Sequence, residues 1–223
     1  MDVLEALYTT RMMRRLRPDP IPIHTQAQII DAAIRAPNGG NAQRWHFLAV
    51  DDHATKSRLA VIYRQCRDRE YADIATDQLA TTIHDPQAHA ASLIRIKASG
   101  DYFTAHFEEI PLLLFVFAID DHNGANIYPA IWSALLAAHA QGIGGVITTV
   151  LRYESDRVMR LLEVPAEAGW AMTAMLAFGY PRGRWGLAAD RHPIHEVSSR
   201  KRWGQPFGMT VPEPLWQPGA EAP

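Results

Sequence analysis

The sequence predicts one α+β sandwich in which helices cover both faces of a sheet. Helical and strand-like patterns alternate along the chain, as in folds that pack both kinds of element around one core. Residues 111–118 form a continuous apolar run of strand length, which is typical of a strand buried on both faces. Residues 127–140 are apolar nearly all round, which is typical of a buried central helix. A sheet that is covered on both faces accounts for these observations.

The remaining elements follow from local periodicity and its breaks. Prolines at alternate positions from 18 to 22 exclude a helix there, and Thr25 followed by Gln28 is a capping-box pattern for a helix that ends at the loop 37–41. Residues 54–100 are helical in pattern and rich in charge, with a break near Asp85 and Pro86. The other predicted elements are a helix over 2–10, strands over 45–50, 145–150 and 170–178, and a helix capped by Ser155 that runs to Leu162.

The composition changes after Pro181. Seven of the 15 prolines lie in residues 181–223, together with Trp185, Trp203 and Trp216. A disordered tail is poor in aromatic residues, so we predict an extended arm that packs on another surface, such as a partner subunit. No internal repeat interrupts the rest of the chain. We therefore divide the sequence into one domain over residues 1–204 and a C-terminal arm or tail over 205–223.

Composition excludes several classes of partner. The chain has 223 residues and a formal net charge of −2, so no general attraction to nucleic acid or anionic lipid is expected. Its single cysteine, Cys66, cannot form an internal disulfide, and the first residues lack the apolar segment of a signal peptide. The longest apolar run, residues 110–119, is shorter than the roughly 20 residues that a membrane-spanning helix needs. We predict a cytoplasmic protein.

Four arginines, Arg11, Arg14, Arg15 and Arg17, lie within a short stretch of the N-terminal region. Their guanidinium groups repel one another unless an anion or an acidic partner compensates the charge, and an arginine fork matches a phosphate group well. The segment is therefore a candidate anion-binding site. The alternative is a solvated basic face.

Two glycine-containing segments are candidates for binding a flat heteroaromatic ligand. Residues 36–45 read APNGGNAQRW, where glycines allow close backbone approach and Asn and Gln side chains can both donate and accept hydrogen bonds. Residues 142–150 read GIGGVITTV, where Thr148 and Thr149 offer hydroxyl groups and backbone donors. The glycine spacing in 142–150 excludes the dinucleotide-binding fingerprint. An ordinary loop and a helix cap followed by a strand are the alternatives.

Other catalytic classes find little support in the sequence. The ten histidines show no paired spacing typical of zinc sites, and the chain has no Gly-x-Ser-x-Gly motif and no Walker A motif. Cys66 lies in a charged helical stretch without an obvious activating base. We predict neither a metal site nor nucleophilic catalysis.

Taken together and in this order, these segments resemble the nitroreductase family, which includes bacterial nitroreductases, the flavin-destroying enzyme of vitamin B12 lower-ligand synthesis and iodotyrosine deiodinase. The resemblance covers roughly residues 3–204, and its most specific parts are TTRMMRRLRPDPIP (9–22) and RAPNGGNAQRWHFLAV (35–50). The later segments GIGGVITT, LLEVP, LAFGYP and DRHPIHEV follow in the family order. The resemblance implies a nitroreductase-like three-layer α+β sandwich with a central, mostly antiparallel sheet. It also implies a homodimer with swapped terminal arms and two FMN molecules at the interface.

The resemblance assigns cofactor-binding roles to individual residues. Arg11, Arg14 and Arg15 match the element that grips the FMN phosphate and ribityl chain, and Met12 or Met13 stands where the family usually has serine. Pro37, Asn38 and Gly39 match the turn that covers the flavin, typically from the opposite subunit, and Asn41 and Gln43 match the polar residues after it. Ile147, Thr148 and Thr149 match the segment beside flavin N5 and O4, and Arg191 matches a late basic residue that reaches the phosphate.

The resemblance also implies the activity. NADPH or NADH would reduce FMN, and an electron-poor acceptor such as a nitroaromatic, a quinone or an enone would then take the electrons in a ping-pong cycle. Residues 54–105 would form a lid insertion that sets acceptor choice, with Tyr63, Tyr71, Tyr102 and Phe103 as candidate aromatic lid residues. No dedicated protein acid or base is expected.

Two alternatives remain open. One is a deiodinase-like dehalogenase, whose branch clamps an amino-acid zwitterion with a lid Glu, Tyr and Lys. Glu70, Tyr71 and Lys97 are present, but adjacent residues on a helix point about 100° apart, so we expect Glu70 on the solvent side and Tyr71 toward the flavin or the core. The other is a flavin-binding or storage protein without turnover.

Overall fold

The computed structural model describes residues 1–76, 86–186, 191–211 and 214–217. They fall into two compact units, Met12–Arg184 and a second unit that combines Met1–Arg11 with Trp185–Pro223. Asp85 and the rest of 77–85 in the predicted lid lie outside the described residues, as do 212–213 and 218–223 in the predicted arm. The predicted division at residue 204 stays a prediction.

The larger unit contains four strands and most of the helices. Its elements are α2 (Ile23–Ala33), β1 (Trp45–Val50), α3 (His53–Thr76), α4 (Pro86–Ala105), β2 (Leu112–Ala118), α5 (Ile127–Ala140), β3 (Gly144–Thr148), α6 (Ser155–Leu161) and β4 (Ala171–Gly179). The smaller unit contains α1 (Val3–Thr9) and α7 (Ile194–Val197).

The strands form one antiparallel sheet in the order β1-β2-β4-β3. Trp45 of β1 pairs with Ala118 of β2, which pairs in turn with Ala171 of β4. Thr148 of β3 pairs with Met175 of β4. The predicted antiparallel sheet is confirmed, and β1 and β3 form its two edges among the described strands.

Strand β2 joins the two halves of the core. Alternate residues of a strand point to opposite faces, and all seven residues of β2 are buried. Phe115 and Phe117 pack with side chains from α3, α4 and α6, such as Phe103. Leu114 and Val116 pack on the other face with side chains from α2 and α5. The three-layer sandwich predicted from the apolar run is therefore confirmed.

The central helix α5 has the predicted bounds and is followed by Gly142 with φ of 73°, a left-handed position that favours glycine. One face of α5 packs on the sheet and on α2. Tyr128 and Trp132 lie one turn apart on another face, and each is 37% exposed.

Two predicted helix caps are wrong. Helix α2 begins at Ile23 with Pro22 as its N-cap, so Thr25 lies inside the first turn. Proline lacks a backbone N–H, which the first turn does not need, and its fixed φ suits a helix start. Ser155 is the first residue of α6, and its hydroxyl lies 3.7 Å from the Met159 sulfur.

The smaller unit links the two ends of the chain. Asp2 caps α1, because its Oδ1 accepts a hydrogen bond from the backbone N–H of Glu5 at 2.8 Å. The rings of Tyr8 in α1 and Trp216 in the predicted arm lie 5.4 Å apart, so the arm packs on α1 of its own chain. Exchange of this arm with a partner subunit stays a prediction.

Candidate functional site

The arginine-rich segment lies along the edge of β3. Met12 forms a parallel bridge with Gly145, and the backbone N–H of Met13 donates to the Gly145 carbonyl over 2.8 Å. Further on, Leu16 bridges to Pro181, just beyond β4. Main-chain hydrogen bonds therefore hold the segment in place, and its arginine side chains project around the strand edge.

Two glycines permit this close approach. A Cβ at Gly144 would lie 2.9 Å from the Cβ of Met13, and a Cβ at Gly179 would lie 2.9 Å from the Cβ of Leu16. Neither neighbouring atom can swing away, because each Cβ is fixed to the backbone, so a larger residue would strain the contact. Packing therefore requires these two glycines.

A cavity of about 160 Å³ lies where this segment, the end of β3 and helices α3 and α4 meet. Arg14 lines it together with Ile147, Thr148 and Thr149, so two of the sequence-predicted flavin segments come together here. The helices contribute one face of α3 and one of α4, at spacings of three and four residues. The helical residues on the cavity are Tyr63, Arg67, Glu70, Gly100 and Phe103.

Arg14 is a partly buried cation that lines this cavity. Its side chain forms no hydrogen bond or ion pair within the part of the chain that the structure describes. Burial lowers the pKa of its guanidinium group, and this effect exceeds the opposing influence of Tyr63 and Glu70. A desolvated charge is unfavourable unless it is paired, so the cavity favours an anionic ligand.

Arg67 is the second cation on the cavity. Its guanidinium donates to the Glu70 carboxylate and, over 2.9 Å, to the Tyr71 hydroxyl. Burial lowers the pKa of Arg67, but Glu70 and Tyr71 outweigh burial, and the net direction is upward. Its Nε is buried and lacks a hydrogen-bond partner among the described residues. Two guanidinium groups beside one carboxylate leave the cavity with net positive charge.

The threonine wall of the cavity faces a buried tyrosine. Burial raises the pKa of the Tyr63 hydroxyl, and a side-chain hydrogen bond with Thr148 partly offsets that rise. Thr149 is exposed at the end of the strand. This side of the cavity therefore offers neutral hydroxyl and backbone groups, which donate hydrogen bonds to a ring edge without adding charge.

The other arginines of the cluster differ in their surroundings. Arg15 is exposed, and its guanidinium lies 4.8 Å above the Tyr102 ring of α4. Arg17 pairs with Asp19 at 3.6 Å and lies 5.2 Å from the Tyr180 ring. Arg17 thus has partners within the chain, as expected for a residue with a structural task.

The sequence-predicted residues Arg11 and Arg191 both belong to the smaller unit. Both side chains are exposed. Close to Arg191, the His192 ring and the Glu196 carboxylate lie 3.0 Å apart. Whether either arginine serves the same ligand as Arg14 stays a prediction.

The glycine-rich turn lies before β1 and is held by asparagine side chains. The Oδ1 of Asn38 accepts from the backbone N–H of Gln43 at 2.9 Å, and the Oδ1 of Asn126 accepts from the N–H of Gly39 at 2.7 Å. Asn41 ends a short 3₁₀ turn, and Pro37 before it is exposed. A cavity of about 260 Å³ adjoins the turn. The predicted turn residues therefore come together, but at a different place from Arg14.

Sequence reasoning missed Asp121 and Asn126, which fix this turn to the start of α5. Both Asp121 oxygens accept hydrogen bonds, from the N–H and side-chain amide of Asn126 and from the N–H of Ile127, at 2.8–3.0 Å. Burial raises the pKa of Asp121, but these hydrogen bonds outweigh it and lower the pKa overall. The cap residue of α5 is Asn126, and Asp121 lies five residues before it, so no standard N-cap spacing pointed to Asp121.

The two parts of the predicted flavin site lie at opposite edges of the sheet. Neighbouring strands lie about 4.8 Å apart, so β1 and β3 are separated by roughly 14 Å across the sheet. The register places Trp45 beside Ala171 and Thr148 beside Met175, which adds roughly 13 Å along the strands. The strand ends beside the two parts are therefore separated by more than the length of a tricyclic ring.

The expected orientations of Glu70 and Tyr71 are wrong. Glu70 lines the cavity and pairs with Arg67, whereas the Tyr71 hydroxyl donates to the exposed carboxylate of Asp101 at 2.8 Å. Lys97 also pairs with Asp101, at 2.7 Å. Helix geometry alone predicted the opposite orientation of these two side chains. It does not take into account the charged partners that they meet on α3 and α4.

Nucleophilic, metal and membrane roles find no support in the described residues. Cys66 is buried, and burial raises the pKa of its thiol. No group of three or more potential metal ligands occurs within residues that the structure describes. Over the same residues, no helix is both long enough and apolar enough to cross a membrane.

Solved flavoproteins share this sandwich. A BluB-like flavoprotein from Clostridium difficile 630 superposes with a TM-score of 0.68 at 18% identity, over 89% of this chain and 98% of that one. The FMN-dependent nitroreductase NfnB from Mycobacterium smegmatis, solved with NADPH, superposes with a TM-score of 0.65 at 20% identity, over 90% of this chain and all (100%) of that one. At these identities the likeness shows the fold alone.

The sequence comparisons identify the family. The Nitroreductase family model matches residues 7–180, and the chain belongs to this family. The 5,6-dimethylbenzimidazole synthase of Rhodospirillum rubrum is 31% identical over 211 residues, which cover 88% of this chain and 87% of the synthase. The NADH dehydrogenase of Thermus thermophilus is 28% identical over 201 residues, which cover 88% of this chain and 95% of that enzyme.

Proposed function

We propose that this chain is an FMN-dependent oxidoreductase that uses NADPH or NADH to reduce electron-poor acceptors such as nitroaromatics, quinones and enones. The observation that carries the proposal is the cavity lined by Arg14 and by Ile147, Thr148 and Thr149. It combines a partly buried cation, which has no hydrogen bond or ion pair within the described residues, with neutral donors at the end of a strand. A flavin ring that becomes anionic on reduction needs both kinds of group.

The donor set fits FMN. Arg14 and Arg15 supply positive charge from one segment, and Thr148 and Thr149 supply hydroxyl and backbone donors beside it. Positions 12 and 13 hold methionine where the family usually has serine, so a serine side-chain contact to the flavin is absent here. The Met13 N–H already donates to the Gly145 carbonyl. The remaining cationic and neutral donors suit a phosphate and a ring edge.

The proposal includes a second copy of the chain. Pockets that hold drug-sized ligands measure about 300–1,000 Å³, whereas this cavity measures about 160 Å³. The turn formed by residues 37–43 lies at the opposite edge of its own sheet, and Tyr128 and Trp132 give α5 an exposed aromatic face. A dimer that covers this face would place the turn of one copy over the cavity of the other.

The chain's own residues would support the reaction as follows. FMN, when bound, supplies the hydride-transfer chemistry. Arg14 and Arg15 would supply positive charge that stabilises an anionic reduced flavin, and Thr149 would donate a hydrogen bond at the end of β3. Helices α3 and α4 cover the cavity and exclude water. Glu70 is held by Arg67, so it serves as a charge partner rather than as an acid or base.

The test begins with the colour of the purified protein. We expect about one non-covalent FMN per chain, and anaerobic addition of NADH or NADPH should bleach its absorbance. Nitroaromatics, quinones and enones should then restore it. Protein that takes up no FMN contradicts the proposal, and protein that binds FMN without bleaching supports flavin storage instead. Saturable binding of iodotyrosine would favour the deiodinase alternative.

A second candidate function rests on the relative at 31% identity. That relative is a 5,6-dimethylbenzimidazole synthase, so this chain is also a candidate for consuming its flavin to form that product. Exposure of the reduced, flavin-loaded protein to oxygen separates the two functions. Recovery of intact FMN supports the acceptor reductase, whereas loss of FMN with release of 5,6-dimethylbenzimidazole, measured by mass spectrometry, supports the synthase.

A further inference from the structure

The side of the cavity formed by α3 carries two charged residues of opposite sign. Arg67 and Glu70 belong to α3, Arg14 comes from the segment beside β3, and all three line the same space. Arg14 is assigned to the cofactor in the proposed function, so Arg67 is the cation that remains for a second ligand. Glu70 pairs with Arg67, and the buried Nε of Arg67 has no hydrogen-bond partner among the described residues.

A glycine makes room for Arg67. Gly100 lies inside α4, where glycine is less favourable than alanine. A Cβ at this position would overlap the Arg67 guanidinium group. The absence of a side chain at Gly100 therefore allows the guanidinium group to lie between α3 and α4 at the cavity.

We propose that Arg67 forms a carboxylate-binding subsite, so that the preferred acceptors are flat, electron-poor rings that carry a carboxylate. A guanidinium fork binds a carboxylate through two parallel hydrogen bonds, and the unpartnered Nε belongs to such a fork. The cavity holds only part of a ligand, and the adjoining Ile147 and Phe103 provide apolar contact for a ring. This inference rests on the proposed function, because it names the acceptor class for the same site.

The test compares 4-nitrobenzoate with its neutral isostere 4-nitrobenzamide. Calorimetric titration of the oxidised, FMN-loaded protein should give an affinity for the carboxylate about 10- to 100-fold higher, the scale of a charge-assisted hydrogen bond. The same preference should appear in kcat/KM with a reduced nicotinamide. Equal affinities for the two compounds in the unmodified protein would overturn the subsite.

Three variants test whether Arg67 causes the preference for the carboxylate over the amide. Arg67→Gln should reduce the carboxylate-to-amide ratio to near one, and Arg67→Lys should restore only part of it, because lysine keeps the charge and loses the fork. Gly100→Ala should lower the ratio without removing any charge, because it displaces Arg67. Ser99→Ala in the same helix is the matched control and should keep the ratio. A preference that survives in both Arg67→Gln and Gly100→Ala would contradict the assignment.

Two further measurements distinguish the carboxylate subsite from a role in FMN binding and from the proposed function. FMN content is measured in every variant, and loss of FMN in Arg67→Gln with an unchanged ratio would assign the arginine to the cofactor phosphate and overturn the subsite. The titration needs no turnover. A protein that prefers 4-nitrobenzoate but oxidises neither NADH nor NADPH would therefore contradict the proposed function and not the subsite.

Discussion

The two edges of the sheet present different kinds of chemistry. At the β3 edge, Arg14, Thr148 and Thr149 border a cavity that carries net positive charge and lies beneath helices α3 and α4. At the β1 edge, the turn formed by residues 37–43 carries amides and glycines, and Asn126 ties it to α5. The first edge offers charge and a covered space, whereas the second offers neutral hydrogen-bonding groups on an exposed turn. Under the proposed function each edge supplies half of a flavin site, and a second copy of the chain completes it.

The largest effect is expected at the arginine-rich segment. Replacing Arg11 or Arg15 by alanine should weaken FMN binding by about 1.5–3 kcal/mol, the scale of a lost charge-assisted hydrogen bond. Arg17→Ala should have a smaller effect, because Arg17 already pairs with Asp19 and Tyr180. The measurement is fluorescence titration of the apoprotein with FMN. Equal small effects at all three positions would mean that the cluster is a solvated face.

The next effect concerns how the segment is held at the β3 edge. Gly179→Ala places a Cβ 2.9 Å from the Leu16 Cβ and 3.0 Å from the Pro111 Cγ, so it should lower the free energy of unfolding by about 1–3 kcal/mol. Gly183→Ala is the matched control, because a Cβ there meets nothing within 4 Å. Urea denaturation measures both. Equal stability of the two variants would show that the segment does not require close approach.

A smaller effect is expected at the β1 edge. Asn126→Ala removes the hydrogen bond to the Gly39 N–H. It should weaken FMN binding by about 0.5–1.5 kcal/mol, because the turn that is proposed to cover the partner's cavity loses its link to α5. Gln141→Ala at the other end of α5 is the control. If both variants bind FMN like the unmodified protein, Asn126 has no positioning role.

The smallest effect is a pH dependence at the same edge. Folding lowers the pKa of Asp121, so its ionised form adds stability above the unfolded pKa of about 4, and this contribution is lost as the pH falls through the lower, folded value. A carboxylate near a helix start contributes about 0.3–1 kcal/mol. Asp121→Asn should therefore destabilise the protein near pH 7, and the difference should shrink toward pH 3 in urea denaturation. A difference that is independent of pH would exclude this electrostatic role.

The sequence was sufficient for most of the fold because its strongest patterns are long. The apolar run that became β2 and the helix α5 were predicted within one residue, since both are buried on nearly every side. The cap predicted at Thr25 was wrong because Pro22 offers a competing helix start one turn earlier. Short capping signals overlap, and only the three-dimensional packing selects between them.

The sequence predicted which segments form the site, but it did not predict which charged side chains pair with one another there. Arg14, Thr148 and Thr149 were named from the sequence and line one cavity. The partnership of Arg67 with Glu70, and the space that Gly100 leaves for it, depend on how α3 packs against α4. Periodicity places residues on a helix face, but it does not show which charged neighbour that face will meet.

The central claim is that each flavin site combines the β3 edge of one copy with the turn of another. A mixed dimer tests it most directly, formed by co-expressing an Arg11→Ala/Arg15→Ala chain and a Gly39→Val chain with different affinity tags. Each parent dimer should bind no FMN. The claim predicts about one FMN per mixed dimer, because both defects fall in one site and leave the other intact. A mixed dimer without FMN would show that each site lies within a single chain and would contradict the account.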